Sequence, residues 1–127
     1  MASKNSQSET IKEAVTAATR AISGNKELEI NFGGMGSSLP HPPKTLKELS
    51  AYRGKADSLA CVEKYRDKSV RIASNSEKVN SLIKVMEDSR VEILGSMNYP
   101  GIATNIKSKF DDKCKLYESF EDHEDHL

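Results

Sequence analysis

The sequence predicts a mainly α-helical domain: approximately four helices in an orthogonal or bundle-like arrangement, with one short β-strand or small hairpin and a Pro-rich loop. Three observations carry that prediction. Apolar residues recur at three- and four-residue intervals through four separate segments. Capping residues, Gly24, Gly95 and Pro100 punctuate those segments. Only residues 28–32 change to a two-residue period. The 127 residues fit one domain with a modest core. The periodic region divides the chain into a disordered N-terminus (1–7), a helical domain (8–117) and a disordered acidic tail (118–127).

The first helix is expected over residues 8–23, with Ile11, Ala14, Val15, Ala18 and Ile22 on one stripe. Ser6 with Glu9, or Thr10 with Glu13, supplies a capping box, and Gly24 suits the left-handed position after a helix. Leu28, Ile30 and Phe32 then alternate with Glu27, Glu29 and Asn31, the pattern of a strand with one buried face. A lone strand is unstable, so this one needs a mate, sought in the segment just before Leu39. Pro40, Pro42 and Pro43 hold the following loop extended. Thr45 and Glu48 open the second helix through Leu46, Leu49, Tyr52, Ala56, Leu59 and Val62. Gly54 interrupts it at a cost of about 1 kcal/mol against alanine, which signals close backbone packing or a break. The third helix is capped by Ser74 and Glu77, striped by Val79, Leu82, Ile83, Met86, Ile93 and Leu94, and ended by Gly95. Pro100 starts the fourth, whose stripe is Ile102, Ile106, Phe110, Tyr117 and Phe120.

Composition excludes several function classes. No apolar run approaches a membrane span, and the polar start "MASKNSQSET" lacks a signal-peptide core, so a cytoplasmic location is expected. Net charge is zero. Bases outnumber acids between Lys44 and Lys84, but without a dense stripe or aromatic platforms for nucleic acid. Cys61 and Cys114 form no CxxC pair and read as reduced, semi-buried thiols. The sequence holds no GxxxxGK[ST] phosphate loop, no HExxH and no Asp-x-Ser-x-Ser. Neither catalytic nor cofactor-binding residues emerge, and this chain alone is not expected to turn over a substrate. His41, between prolines, reads as a loop residue. His123 and His126, among the tail acids, are weak candidates for transition-metal capture.

Arg90 falls inside the third helix's apolar stripe, where an unpaired charge is costly. Its guanidinium must therefore snorkel out or meet an acceptor: Asp57, Glu13, Glu29 or a helix-end carbonyl. The alternative is an arginine that faces a partner. Arg53 and Asp57, at i, i+4, read as a surface pair, and Glu92 as solvent-exposed.

Four blocks read together, "TRAISGNKELEINF" (19–32), "LPHPP" (39–43), "YRGKADSLA" (52–60) and "RVEILGSMNYPGIATNI" (90–106), resemble the N-terminal region of the CobT subunit of aerobic cobaltochelatase. They keep the family's order and spacing and cover most of residues 10–117. The resemblance implies a subunit of a complex that inserts Co²⁺ into hydrogenobyrinic acid a,c-diamide at the expense of ATP, with Mg²⁺, in cobalamin biosynthesis. It implies as partners a CobS-like AAA+ ATPase ring and a CobN-like large subunit that holds the corrin, with homo-oligomerisation within a ring. It nominates Arg53, Gly54, Asp57, Arg90, Glu92 and Gly95 as interface or structural positions. Family members continue into an acidic linker and a C-terminal von Willebrand factor A domain with a metal-ion-dependent adhesion site. The present sequence ends at "FEDHEDHL", where that linker is expected to begin, so that domain is absent from it. This leaves open a fragment, a truncated product or a split subunit, and the alternative of a stand-alone helical interaction module with no chelatase role.

Overall fold

Four helices and one 3₁₀ turn account for the regular structure in the computed structural model, which describes residues 4–67 and 75–124. Helix α1 spans Lys4–Ser23, starting inside the stretch for which disorder is expected. Its inward side is Val15 and Thr19, with Ile11 and Ile22 half-buried; Ala14, expected on the stripe, is exposed. Thr19 is tolerated in the core because its hydroxyl donates to the Val15 carbonyl at 2.7 Å. Gly24, at φ 75°, ends the helix in the left-handed conformation that its missing Cβ permits.

The expected strand at residues 28–32 does not form. Leu28, Ile30 and Phe32 are half-buried and Glu27, Glu29 and Asn31 exposed, so the alternation survives as a burial pattern. Pairing shrinks to one parallel bridge between Phe32 and Leu39, closed by Gly33 N–H to Leu39 O (2.8 Å) and Leu39 N–H to Asn31 O (3.1 Å). The reason is local: Gly33, Gly34 and Gly36 all take positive φ (74°, 84° and 76°) and curl the chain before a ladder can extend. The Arg20 Nε–H takes the Leu28 carbonyl at 2.8 Å, in place of a strand mate. Residues 40–43 carry neither helix nor strand, and the Tyr52 hydroxyl pins them by donating to Pro40 O at 2.8 Å.

A 3₁₀ turn, Leu46–Glu48, leads into α2, Leu49–Tyr65. Thr45 precedes the turn without a side-chain cap bond. Helix α2 runs unbroken through Gly54 and is the centre of the fold, packing against every other helix. One of its sides joins Tyr52, Ala56 and Leu59 to Val15, Leu39, Ile30 and Phe32. Its other side joins Cys61 to Val91 and Ile102, with Tyr65, Tyr99 and Ile106 around them.

Helix α3, Glu77–Asn98, is capped by the Ser76 hydroxyl, which accepts from Val79 N–H; Ser74, the expected cap, lies outside the described residues. The helix does not stop at Gly95, which is buried within it. It stops at Tyr99, held at φ −136° and ψ 105°, because Pro100 disfavours helical backbone in the residue before it. Pro100 therefore ends one helix and opens the next, α4, Pro100–Glu124. That helix continues through 118–124, where loss of regular structure was expected.

The largest departure concerns which way α3 faces. Its buried residues are Val91 and Gly95. Of the expected inward stripe, Val79, Leu82, Met86 and Ile93 are 44%, 60%, 63% and 60% exposed. The face richest in hydrophobes points away from the core. No helix among the described residues is long and apolar enough to cross a membrane.

Candidate functional site

On α2, Ser50, Gly54, Asp57, Ser58 and Cys61 recur at three- and four-residue intervals and share one side. That side is built of small or polar groups, so neighbouring helices can approach closely. A Cβ on Gly54 would lie 2.2 Å from the Asn105 carbonyl oxygen of α4, and one on Gly95 would lie 2.2 Å from Cys61 Sγ. Both glycines therefore mark helix crossings at which no side chain fits. Of the two sequence alternatives for Gly54, close backbone packing holds.

Close approach brings polar groups of three helices together. The Asn105 amide donates to Asp57 Oδ2 at 2.8 Å, and Arg53 Nη2 stands 3.7 Å from Oδ1. Ser58 Oγ donates to Glu92 Oε1 at 2.7 Å. Lys109 Nζ reaches both Ser58 Oγ and Glu92 Oε1, each at 2.7 Å. Ser50 and Ser108 join their hydroxyls at 2.8 Å. Asp57 is therefore no surface residue: it is 1% exposed. Glu92 is not solvent-exposed either, since its half-buried carboxylate ties α3 to α2 and α4.

The electrostatics favour a lock over a reactive centre. Burial pushes the Asp57 carboxyl up from its ordinary value, against the opposing pull of Asn105 and Arg53. Burial also pushes the Cys61 thiol up to about 11, helped by the Asp57 and Glu92 carboxylates. A thiol that titrates there is neutral at physiological pH and a poor nucleophile or ligand. Cys61 and Cys114 are both free.

Arg53, Gly54, Asp57, Glu92 and Gly95 meet at this junction; Arg90 does not. It is exposed, so its guanidinium snorkels out instead of forming a buried ion pair, and none of Asp57, Glu13 or Glu29 is its partner. It donates to Glu87 from Nε at 2.9 Å and to the Tyr65 carbonyl from Nη2 at 2.8 Å. The helix-end carbonyl, one of the acceptors foreseen, ties the C-terminus of α2 to α3 and suits a cation there. The hydrogen bonding from Arg90 to Glu87 holds the Glu87 carboxyl below the usual range. Ser58, Asn105, Lys109 and Cys61 were missed; their signal was the second stripe on α2 and the Asn105–Lys109 spacing on α4. His126 and the side chain of His123 lie outside the described residues. Among the described residues no cluster of His, Cys, Asp and Glu is arranged to hold a metal.

A family model, cobalamin biosynthesis protein CobT, matches residues 5–125, nearly the whole chain. The chain belongs to the CobT family. No solved structure matches it. In this CobT-family domain, the blocks "YRGKADSLA" and "RVEILGSMNYPGIATNI" pack against each other, the first on α2 and the second across the α3–α4 corner. Their shared contact is the polar junction.

Asp57→Asn gives this CobT domain a pH signature. Because the folded carboxyl titrates above its unfolded value near 3.8, its favourable contribution is complete below that value and is lost as pH rises through the folded pKa. Asparagine contributes no such term. Urea denaturation from about pH 4 to about pH 7 is expected to show the variant gaining stability relative to wild type as pH rises. A difference that stays constant would mean that Asp57 is not desolvated.

Proposed function

We propose that this chain is the helical N-terminal module of an aerobic cobaltochelatase and works by assembly in the cytoplasm. It would dock to a CobS-like AAA+ ATPase ring or to a CobN-like corrin-holding subunit. ATP-driven motion would then reach the site where Co²⁺, the substrate ion, enters hydrogenobyrinic acid a,c-diamide. ATP, Mg²⁺ and Co²⁺ would be bound by other parts of the complex. The family match across residues 5–125 carries the reading.

The chemistry of the junction supports a non-catalytic role for this part. Asp57 is occupied by Asn105 and Arg53, Glu92 by Ser58 and Lys109, and the Cys61 thiol is neutral. Its carboxylates are thus engaged by neighbouring side chains, which supports a stiff domain that passes force between partners rather than a reactive site.

The test is capture of the ATPase and large subunits by the full chain, with and without ATP. Capture of at least one is expected, and its loss on Gly54→Leu, which cannot pack α2 against α4, is expected too. If the folded wild-type chain retains neither subunit under either condition, the assembly role is overturned.

A further inference from the structure

Four of the exposed hydrophobes of α3, with two serines, follow a stricter rule than an ordinary amphipathic stripe. Val79, Leu82, Met86, Ser89, Ile93 and Ser96 are spaced three, four, three, four and three residues apart. That is an unbroken heptad pattern with β-branched residues or Met at one position and Leu or Ser at the other. A period of 3.5 suits a supercoiling helix partner, whereas a globular core accepts the helix's own 3.6. No charged residue occupies a seam position, and Arg90 and Glu92 lie along its two borders. The serines leave room: a groove of about 460 Å³ runs beside Ser89, Glu92, Ile93, Ser96, Met97 and Ile106.

The geometry points to a second copy of this chain as the occupant, its α3 laid antiparallel on this one about a two-fold axis near Glu87 and Asp88. In that register Val79 faces the partner's Ser96, Leu82 the partner's Ile93, and Met86 the partner's Ser89. Each large side chain then enters a position kept small or apolar opposite, as an isologous contact requires. Arg90 lies beside the partner's Ile83 along one border and Glu92 beside the partner's Val85 along the other, so no charge is paired directly with its own copy. A parallel pairing would stack serine on serine at two levels and leave holes beside them. The area also suffices. Val79, Leu82, Val85, Met86, Ile93 and Met97 are 44–77% exposed. Together they offer on the order of 500 Å² per copy, hence about 1,000 Å² in all, the threshold for specific association. A dimer at that threshold is expected to be weak and reversible. The inference stands apart from the chelatase reading, because it needs only this chain.

Sedimentation of the full chain over roughly 1–500 μM is expected to show a reversible monomer–dimer equilibrium. Ile93→Lys should weaken it by at least about tenfold with an unchanged thermal melt, since Ile93 makes little contact with the core. Register is tested in a Cys114→Ser background under mild oxidation. Leu82→Cys with Ile93→Cys on the same chain should cross-link two copies, whereas either single variant should not. The two sites are about 16 Å apart along one helix, too far for an internal disulfide. A wild-type chain that stays monomeric at the highest concentration overturns the proposal, as it would if Phe110 and Tyr117 of α4 folded over the seam instead. Equal cross-linking by the single variants overturns the antiparallel register.

Discussion

Gly54→Ala is expected to lower the stability of the domain by about 2–4 kcal/mol, although alanine is the better helix former by about 1 kcal/mol. The added Cβ would sit 2.2 Å from the Asn105 carbonyl oxygen and 2.8 Å from Lys109 Cβ. A backbone oxygen cannot rotate aside, so α4 itself must move away from α2. That movement strains the bonds on the same face, from Asn105 to Asp57 and from Lys109 to Ser58 and Glu92. Against a typical total of about 5–15 kcal/mol, such a loss is large. Thermal melts should show a fall on the order of 10 °C. A variant that melts with wild type would show that the α2–α4 crossing has slack.

Gly95→Ala meets a different obstacle and should respond differently to rescue. Its Cβ would lie 2.2 Å from Cys61 Sγ, but 3.6 Å from Cys61 Cβ and from Ile102 Cγ2. The clash is therefore with one side-chain atom, and Cys61 is fully buried. The single variant should lose about 2–3 kcal/mol. Cys61→Ala alone should lose about 1 kcal/mol by leaving a small void. Gly95→Ala combined with Cys61→Ala should be more stable than the two losses added together predict, by about 1.5 kcal/mol or more. Equilibrium denaturation of the four proteins measures this directly, and simple additivity would remove the steric account of Gly95. No equivalent rescue exists for Gly54, because a backbone carbonyl cannot be deleted.

These two glycines show where sequence reading succeeds and where it stops. A mid-helix glycine that costs propensity implied close packing at Gly54, and α4 supplies that packing. The same residue type at Gly95, followed by Pro100, looked like a helix stop. Glycine permits a stop without enforcing one, whereas proline enforces it sterically on Tyr99. The alternation at residues 28–32 was real, but alternation records which side chains are buried, not whether a strand mate exists. Three left-handed glycines decided that locally.

The α3 stripe was legible as a pattern, though its direction was not. Periodicity marks an apolar face without naming what covers it, and here the core took Val91 and Gly95 from the opposite side. Asp57 and Glu92 were misread for a related reason. One helix supplies only neighbours at i, i+3 and i+4, as Arg53 is to Asp57, while the hydrogen bonds that hold these carboxylates come from other helices: Asn105 and Lys109 from α4, Ser58 from α2 to α3.

By itself, then, the sequence determined the local facts: four helical segments, the left-handed turn at Gly24, the corner at Pro100, and the ordered blocks that place the chain in the CobT family. Those follow from backbone sterics and residue order, which act within a few positions. The tertiary structure alone decided which helix face is inside, that α3 passes through Gly95, and that Arg53, Asp57, Ser58, Glu92, Asn105 and Lys109 form one junction. Burial and polar satisfaction are settled between helices, at separations in sequence that no local period encodes.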